Sequence, residues 1–211
     1  MKLLHIAILL IISLHSHAQK TIQGMIVNNS GDSTLCHFHL NFQTLTKKST
    51  VDIGYDFLDV YDPVTDKQKH YSAKDISYFE FIKDDKIYKY FTVPVPGIGS
   101  KTYPYFGEVQ EDGNYTLLKV TYPYGTTSSK SFISFENDGS INLSIAGKTV
   151  TYHYIKNQLN EFIMAKKLIN NKSRDKFSIT CPEMEERFRT NFYSIDERVK
   201  VVQDLNATCL E

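Results

Sequence analysis

Residues 76–93 read ISYFEFIKDDKIYKYFTV, and this stretch predicts a β-hairpin with Asp84-Asp85 at its tip. A two-residue loop places Glu80 opposite Lys89, and opposite charges at such positions stabilise a strand pair. Side chains alternate between the two faces of a strand, so four aromatic residues share the other face: Phe79, Phe81, Tyr88 and Tyr90. We expect this aromatic face to be buried.

The remainder of the chain up to residue 156 carries further strand and turn signals. Asp112-Gly113 and Asp138-Gly139 each lie between two runs of strand-forming residues, which is typical of tight hairpins. Thr34–Phe42 alternates between apolar and polar residues, with Cys36 on the apolar side. No helical pattern intervenes between these strands, which favours an antiparallel sheet.

The pattern changes towards the carboxyl end. Asn157–Leu168 shows apolar residues at helical spacing, and Pro182 suits the first turn of a second helix. Ser194 and Glu197 match a capping box ahead of a last helix, whose predicted apolar stripe is Ile195, Val199, Val202 and Leu205. In contrast, the three prolines and two glycines of residues 94–104 predict an irregular loop.

These patterns predict an α+β fold that is mainly antiparallel β-sheet, either a barrel-like meander or a sandwich, followed by a small C-terminal helical segment. The expected division is a signal peptide at 1–18, a β body at 19–156 and a helical tail at 157–211 packed on the body.

The amino terminus resembles a secretory signal. Met1-Lys2 precedes the apolar run Leu3–Leu14, and Ser16-His17-Ala18 offers small residues to a signal peptidase. The run is too short to cross a bilayer, and no later stretch is apolar enough to do so. We expect export, with the mature chain beginning at Gln19, in the periplasm, at the outer membrane or outside the cell. The alternative is an uncleaved anchor.

The charge balance argues against one class of partner. Lys plus Arg and Asp plus Glu are 24 each. A protein that binds nucleic acid needs an excess of basic residues to neutralise phosphates, and this chain has none.

Three cysteines remain after the signal: Cys36, Cys181 and Cys209. An oxidising compartment favours pairing of two of them. Cys181 and Cys209 bracket two short predicted helices whose ends should meet, so we expect them to form a disulfide and Cys36 to be a free, buried thiol. Two free thiols in the tail are the alternative.

Two sets of residues are candidates for a functional site. His37 and His39 project from one face of a strand and could ligate one metal ion, although zinc needs a third protein ligand and no recognised metal motif is present. Tyr103, Tyr105, Tyr122 and Tyr124 form two Tyr-Pro-Tyr repeats at hairpin ends, where exposed rings could contact a sugar or a peptide. The alternative for the histidines is that they are ordinary surface residues. The alternative for the tyrosines is that they only shape the turns and pack at the sheet edge.

The chain contains no serine-hydrolase, zinc-protease or phosphate-loop motif, and no motif for a cofactor. We therefore expect a non-catalytic exported envelope protein that binds a protein or a glycan. The alternative is a small metal-dependent or cryptic enzyme that uses His37 and His39.

Several short motifs carry a resemblance. The signal ending in Ala18-Gln19, the turn Gly31-Asp32-Ser33-Thr34, the residues Tyr71, Asp75, Ile76 and Phe79, and the tail with Cys181-Pro182-Glu183 and Cys209 resemble a group of uncharacterised exported proteins of Bacteroidetes. The resemblance implies an envelope location and supplies no catalytic residue.

Overall fold

The structure is a computed structural model of the 211-residue chain. It describes residues 21–43, 48–51, 53–97, 101–123, 131–135, 141–145, 149–170, 177, 179, 181–190 and 192–209. For 41–43, 48–50, 123, 131–135 and 141–145 it describes the backbone alone. Residues 1–18, and with them the predicted signal peptide and its cleavage site, lie outside the described part.

The described strands form one antiparallel sheet, which a small helical tail follows. The strands are β1 (Thr21–Asn28), β2 (Ser33–Gln43), β3 (Lys48–Val51), β4 (Phe57–Tyr61), β5 (Gln68–Ser72), β6 (Ile76–Lys83), β7 (Lys86–Pro96), β8 (Thr102–Glu111), β9 (Thr116–Pro123), β10 (Ser131–Phe135), β11 (Ile141–Ile145), β12 (Thr149–Lys156) and β13 (Phe162–Met164). The helices are α1 (Ala165–Ile169), α2 (Pro182–Arg189) and α3 (Arg198–Thr208), with a 3₁₀ turn at Ile195–Glu197. The predicted fold class is confirmed.

The strand order is β11-β10-β3-β2-β1-β6-β7-β8-β9-β12-β13, with β4 pairing to β2 and β5. Consecutive strands are mostly neighbours, as expected of a meander. The sheet is open, because the strands at the two ends of this order, β11 and β13, do not pair with each other within the described residues.

The hairpin β6–β7 has the predicted register. Phe79 lies opposite Tyr90, Phe81 opposite Tyr88, and Lys83 opposite Lys86, which leaves a two-residue loop. All four aromatic residues are buried. We call the face that carries them the inner face of the sheet, and the opposite face the outer face.

The inner face of β1, β2 and β6–β8 encloses the first core. Its members come from strands between β1 and β8 and from the turns that connect them, and they include Phe38, Phe79 and Phe81, all fully buried. The Phe106 N–H on β8 donates to the Tyr55 carbonyl just before β4, at 2.8 Å. This bond links two distant parts of the sheet, so the sheet curls around its aromatic core.

The second core joins the tail to the inner face of β9, β12 and β13. Leu117, Ile155 and Ile163 of the sheet pack with buried residues of the three helices. The Asn206 side chain adds a polar connection, because it accepts from the Tyr115 N–H at 2.8 Å and donates to the Tyr115 carbonyl at 2.9 Å. The helical tail is therefore docked on the sheet at a fixed position.

The tail carries the predicted disulfide. Cys181 and Cys209 are bonded, with their Cα atoms 5.4 Å apart, and Cys36 is free and buried on β2. Pro182 occupies the first turn of α2, as expected. The Ser194 N–H donates to the Glu197 carboxylate at 2.8 Å, which confirms the capping box at the 3₁₀ turn.

The predicted apolar stripe of the last helix is partly wrong. Ile195 and Val199 are 39% and 42% exposed, whereas Val201, Val202 and Leu205 are fully buried. The reason is that the α-helix begins only at Arg198, after the 3₁₀ turn. The helical spacing therefore does not extend back to Ile195, and the buried face of the helix is rotated from the predicted one.

The prediction of an irregular loop over residues 94–104 is wrong at both ends, because β7 continues to Pro96 and β8 begins at Thr102. Residues 98–100 lie outside the described part. The Gly97 N–H donates to the Lys101 carbonyl at 2.8 Å, so these two residues form a hydrogen-bonded pair. Along an antiparallel pair of strands, hydrogen-bonded and non-hydrogen-bonded pairs alternate from this point. Pro94 and Pro104 lie opposite each other at a position between two such pairs. The missing prolyl N–H therefore removes no bond between these strands.

The predicted helix over Asn157–Leu168 is wrong in its first two thirds. Asn157 accepts from the Glu161 N–H at 2.9 Å, and Asn160 has a left-handed backbone with φ of 60°. This tight turn returns the chain to the sheet, where Phe162 pairs with Lys156. The residues after 157 thus begin as a turn and a sheet strand, and helix starts at Ala165.

The hairpin tip allows a first prediction. Asp84 and Asp85 both have positive φ, 50° and 59°, a conformation that glycine adopts at much lower cost. Asp85→Gly should raise the free energy of unfolding by about 0.5–1 kcal/mol. Urea denaturation measures this, with Asp85→Ala as the control, which should lose stability because alanine disfavours positive φ. Equal stabilities of the two variants would contradict the assignment.

Candidate functional site

Three tyrosines of the outer face form a stacked row, which we call the tyrosine ladder: Tyr105 on β8, Tyr122 on β9 and Tyr152 on β12. The rings of Tyr105 and Tyr122 are 5.0 Å apart between centroids and inclined by 13°, and those of Tyr122 and Tyr152 are 5.8 Å apart and inclined by 25°. Tyr152 is 41% exposed, and Tyr103, one step along β8 on the same face, is 46% exposed. The structure thus gathers three of the predicted tyrosines on one face, and Tyr124 lies outside the described residues.

The ladder borders an apolar cluster on the same face of the sheet. Val93, Leu118 and Val120 of this cluster are fully buried, and its residues all belong to strands. No described helix contributes to the cluster, because the tail packs on the inner face. The ladder therefore adjoins an apolar cluster to which, among the described residues, only strands contribute.

The stacking decides which parts of the rings are available. Nearly parallel rings at these separations are stacked with an offset, and the Tyr122 ring lies between those of Tyr105 and Tyr152. Burial, followed by the neighbouring Tyr152 and Tyr105, raises the pKa of Tyr122. Its phenol stays protonated at neutral pH and can donate a hydrogen bond. The ladder presents ring edges and hydroxyls more than free aromatic faces.

Sequence reasoning missed Tyr152. The signal that could have found it is the alternation of Val150, Tyr152 and Tyr154 in a strand that pairs with the one carrying Tyr122. That pairing register depends on the 25-residue segment between β9 and β12, and the sequence alone does not fix it.

The predicted histidine pair lies on β2, where both side chains are half-buried. The His39 ring stacks on Tyr61 with centroids 3.5 Å apart, and its Nε2 is 3.5 Å from the Asp66 carboxylate. His70 contacts a different carboxylate, that of Asp59, at 2.8 Å. Within the described residues no group of three or more His, Cys, Asp or Glu could hold a metal ion. Metal binding by His37 and His39 therefore stays a prediction, and the described residues supply no third ligand for the ion.

A second polar arrangement, which sequence reasoning missed altogether, crosses the inner face. Tyr90 lies opposite Glu108, Glu108 opposite Lys119, and Lys119 opposite His153, on the consecutive strands β7, β8, β9 and β12. The last three side chains are half-buried. We call these four residues the polar row; it lies between the aromatic core and the core of the tail.

Burial shapes the chemistry of the polar row. Burial raises the pKa of Glu108, and the ammonium groups of Lys119 and Lys86 oppose this rise. Burial, followed by Arg198 and Lys119, lowers the pKa of His153 to about 4. The Tyr90 hydroxyl is buried and has no hydrogen-bond partner in the described part of the chain. The polar row therefore brings a carboxyl, an ammonium and a neutral imidazole side by side, partly shielded from solvent.

The buried thiol is unsuited to nucleophilic work. Cys36 is 3% exposed, and burial raises its pKa to about 12. A nucleophilic cysteine needs a thiolate, which this environment suppresses. Cys36 thus acts as a small apolar residue of the first core.

No protein-family model matches the chain, and comparison with curated proteins and with solved structures found no match. Among the described residues, no helix combines the length and the apolar character needed to cross a membrane.

Proposed function

We propose that this protein is a non-catalytic exported module that binds a protein or a glycan through the tyrosine ladder. The observation that carries the proposal is the stacked row of Tyr105, Tyr122 and Tyr152 on a sheet face that no described helix covers. Tyrosine provides large contact area with little conformational freedom to lose, which is why it is enriched in binding surfaces.

The form of the ladder favours one manner of binding. A sugar that stacks on an aromatic residue needs a free ring face, and Tyr122 is flanked by a stacked ring on each side. Ring edges and phenol hydroxyls suit a partner that offers hydrogen-bond acceptors and small apolar groups. A polypeptide offers both along its backbone and side chains. We therefore favour a protein partner over a glycan. Because the amino terminus predicts export, this partner is expected in the cell envelope.

The test uses variants of the ladder. Purified protein is screened against a glycan array and a displayed peptide library, and the strongest binder is titrated by calorimetry. Tyr122→Ala and Tyr152→Ala should each weaken binding about 30-fold, the effect of losing an aromatic anchor worth about 2 kcal/mol. Because the chain contains no tryptophan, tyrosine fluorescence gives a second, label-free readout of the same titration.

The matched control is Leu159→Ala. Leu159 is 69% exposed in the turn between β12 and β13, so it tests whether any exposed apolar residue has the same effect. We expect this variant to bind like the unchanged protein. A binder whose affinity is the same for the double variant Tyr122→Ala/Tyr152→Ala would show that the ladder is not the binding surface.

A further inference from the structure

An ammonium group stands on the outer face near the tyrosine ladder. The Lys156 Nζ lies over the Phe91 ring, 4.8 Å from its centroid, and Lys156 is half-buried. Lys156 and Tyr152 are both on β12, an even number of residues apart, so they project from the same face. Phe91 packs against the apolar cluster that the ladder borders. The ammonium and the ladder therefore adjoin the same apolar cluster.

One row of cross-strand partners also connects the two. Phe91 on β7 lies opposite Gly107 on β8. Gly107 lies opposite Val120 on β9, and Val120 lies opposite Tyr152 on β12. Neighbouring strands are about 4.8 Å apart, so three such steps separate Phe91 from Tyr152 by about 14 Å along the sheet. An extended peptide of about four residues covers this distance, so one short segment of a partner can contact both groups.

The charge of Lys156 has no carboxylate partner. In the described part of the chain no acid forms an ion pair with it. Its hydrogen bond to the Asn157 carbonyl is 3.5 Å long, which is longer than an ordinary bond of this type. Burial lowers the pKa of Lys156, and Asp112 acts in the opposite direction. The Phe91 ring offsets only part of such a charge, so an arriving anion would stabilise it further.

Two acids on this part of the outer face are held by other groups. Glu80 accepts a hydrogen bond from the Tyr78 hydroxyl and lies opposite Lys89. The Asp112 carboxylate accepts from the Lys89 ammonium through Oδ2 and from the N–H of the next residue through Oδ1. Both oxygens of the acid that acts on Lys156 are therefore already bound, and a carboxylate for this ammonium has to come from a partner.

We propose that the outer face binds a polypeptide segment through both the tyrosine ladder and Lys156, with an Asp or Glu side chain of the partner on the ammonium. The proposal rests on the function proposed for the ladder and adds the chemistry of the partner. The ladder supplies contact area and hydroxyl donors. The ammonium supplies a charge-assisted hydrogen bond, which is roughly twice as strong as a neutral one. A neutral glycan has no group that would offset this charge.

The experiment starts from a displayed library of random peptides selected on the unchanged protein, and the selected sequences should be enriched in Asp or Glu. The strongest binder is synthesised with both ends capped, so that its only carboxylates are side chains. Its counterpart carries Gln or Asn in place of the acid. Calorimetry should show about tenfold weaker binding of the neutral peptide, and added sodium chloride should weaken mainly the acidic one.

Variants of the protein identify the cation. Lys156→Gln should weaken binding of the acidic peptide about tenfold and should bind the acidic and neutral peptides alike, because the pair is then absent from both complexes. Lys156→Arg keeps the charge and should keep the preference for the acidic peptide. The control Lys167→Gln changes an exposed lysine on α1 and should bind like the unchanged protein. Circular dichroism confirms that each variant is folded.

The outcomes separate this proposal from the function of the ladder. If Tyr152→Ala weakens binding but Lys156→Gln keeps the full preference for the acidic peptide, the role of Lys156 is overturned and the ladder stands. If only Lys156→Gln weakens binding, the ladder is not part of the surface and both proposals are wrong. A library that yields no binder, or binders without an acidic residue, would overturn the proposal as well.

Discussion

Alanine at Phe79 or Phe81 should lower the free energy of unfolding by about 3–5 kcal/mol for each substitution. Both side chains are fully buried. Phe79 packs against Phe38, Tyr90 and Phe106 with centroid distances of 6.0, 4.6 and 4.9 Å, so its removal leaves a cavity lined by aromatic rings. Because a domain is stable by only about 5–15 kcal/mol, either loss removes a large part of the total.

Urea denaturation of the two variants measures the effect. Ile82→Ala and Ile87→Ala are matched controls, since these residues face each other on the outer face of the same hairpin and are 53% and 52% exposed. We expect the controls to lose less than about 1 kcal/mol. Similar losses at Phe79 and Ile82 would mean that the two faces of the hairpin are buried alike, contrary to the structure.

The second large effect is expected at the disulfide. Replacing Cys181 and Cys209 by serine should cost about 3.5 kcal/mol, the chain-entropy value for a bridge whose cysteines are 28 residues apart. The helices it joins are short, 8 and 11 residues, and such helices are unstable alone. Part of the tail should stay ordered without the bridge, because Arg187 and Tyr193 both bind the Asp204 carboxylate, at 3.1 and 2.7 Å.

Denaturation with and without a reductant tests this. Reduction should destabilise the unchanged protein and leave the double serine variant unaffected. Peptide mapping without reduction should show one crosslink, 181 to 209, with Cys36 labelled only after unfolding, since its thiol is buried and its pKa is raised to about 12. A crosslink that includes Cys36, or a stability that reduction does not change, would contradict the structure.

Local patterns were sufficient where neighbours in sequence are also neighbours in space. The register of β6–β7 followed from cross-strand pairs within 18 residues, and the two-residue loop is confirmed. The bridge between Cys181 and Cys209 followed from two short helices that return the chain to its starting point. In both cases short loops limit how the chain can be arranged.

The predictions that failed depended on partners far along the chain. Proline signals at Pro94 and Pro104 indicated a loop, but the pairing register places both residues where no bond between the strands is needed. Likewise Phe162 and Ile163 have helical spacing, yet they pair with the edge strand β12 and so belong to the sheet. Here tertiary pairing overrides local preference.

The sequence by itself determined the aromatic hairpin, the mainly antiparallel fold with a helical tail, the free Cys36 and the candidate tyrosines of β8 and β9. Only the tertiary structure brought Tyr152 to the ladder and placed Glu108, Lys119 and His153 in one row. Both sets of residues include β9 and β12, which are joined through residues 124–148. A shift of one residue in any pairing moves every side chain of that strand to the opposite face, so only the assembled sheet decides which residues meet.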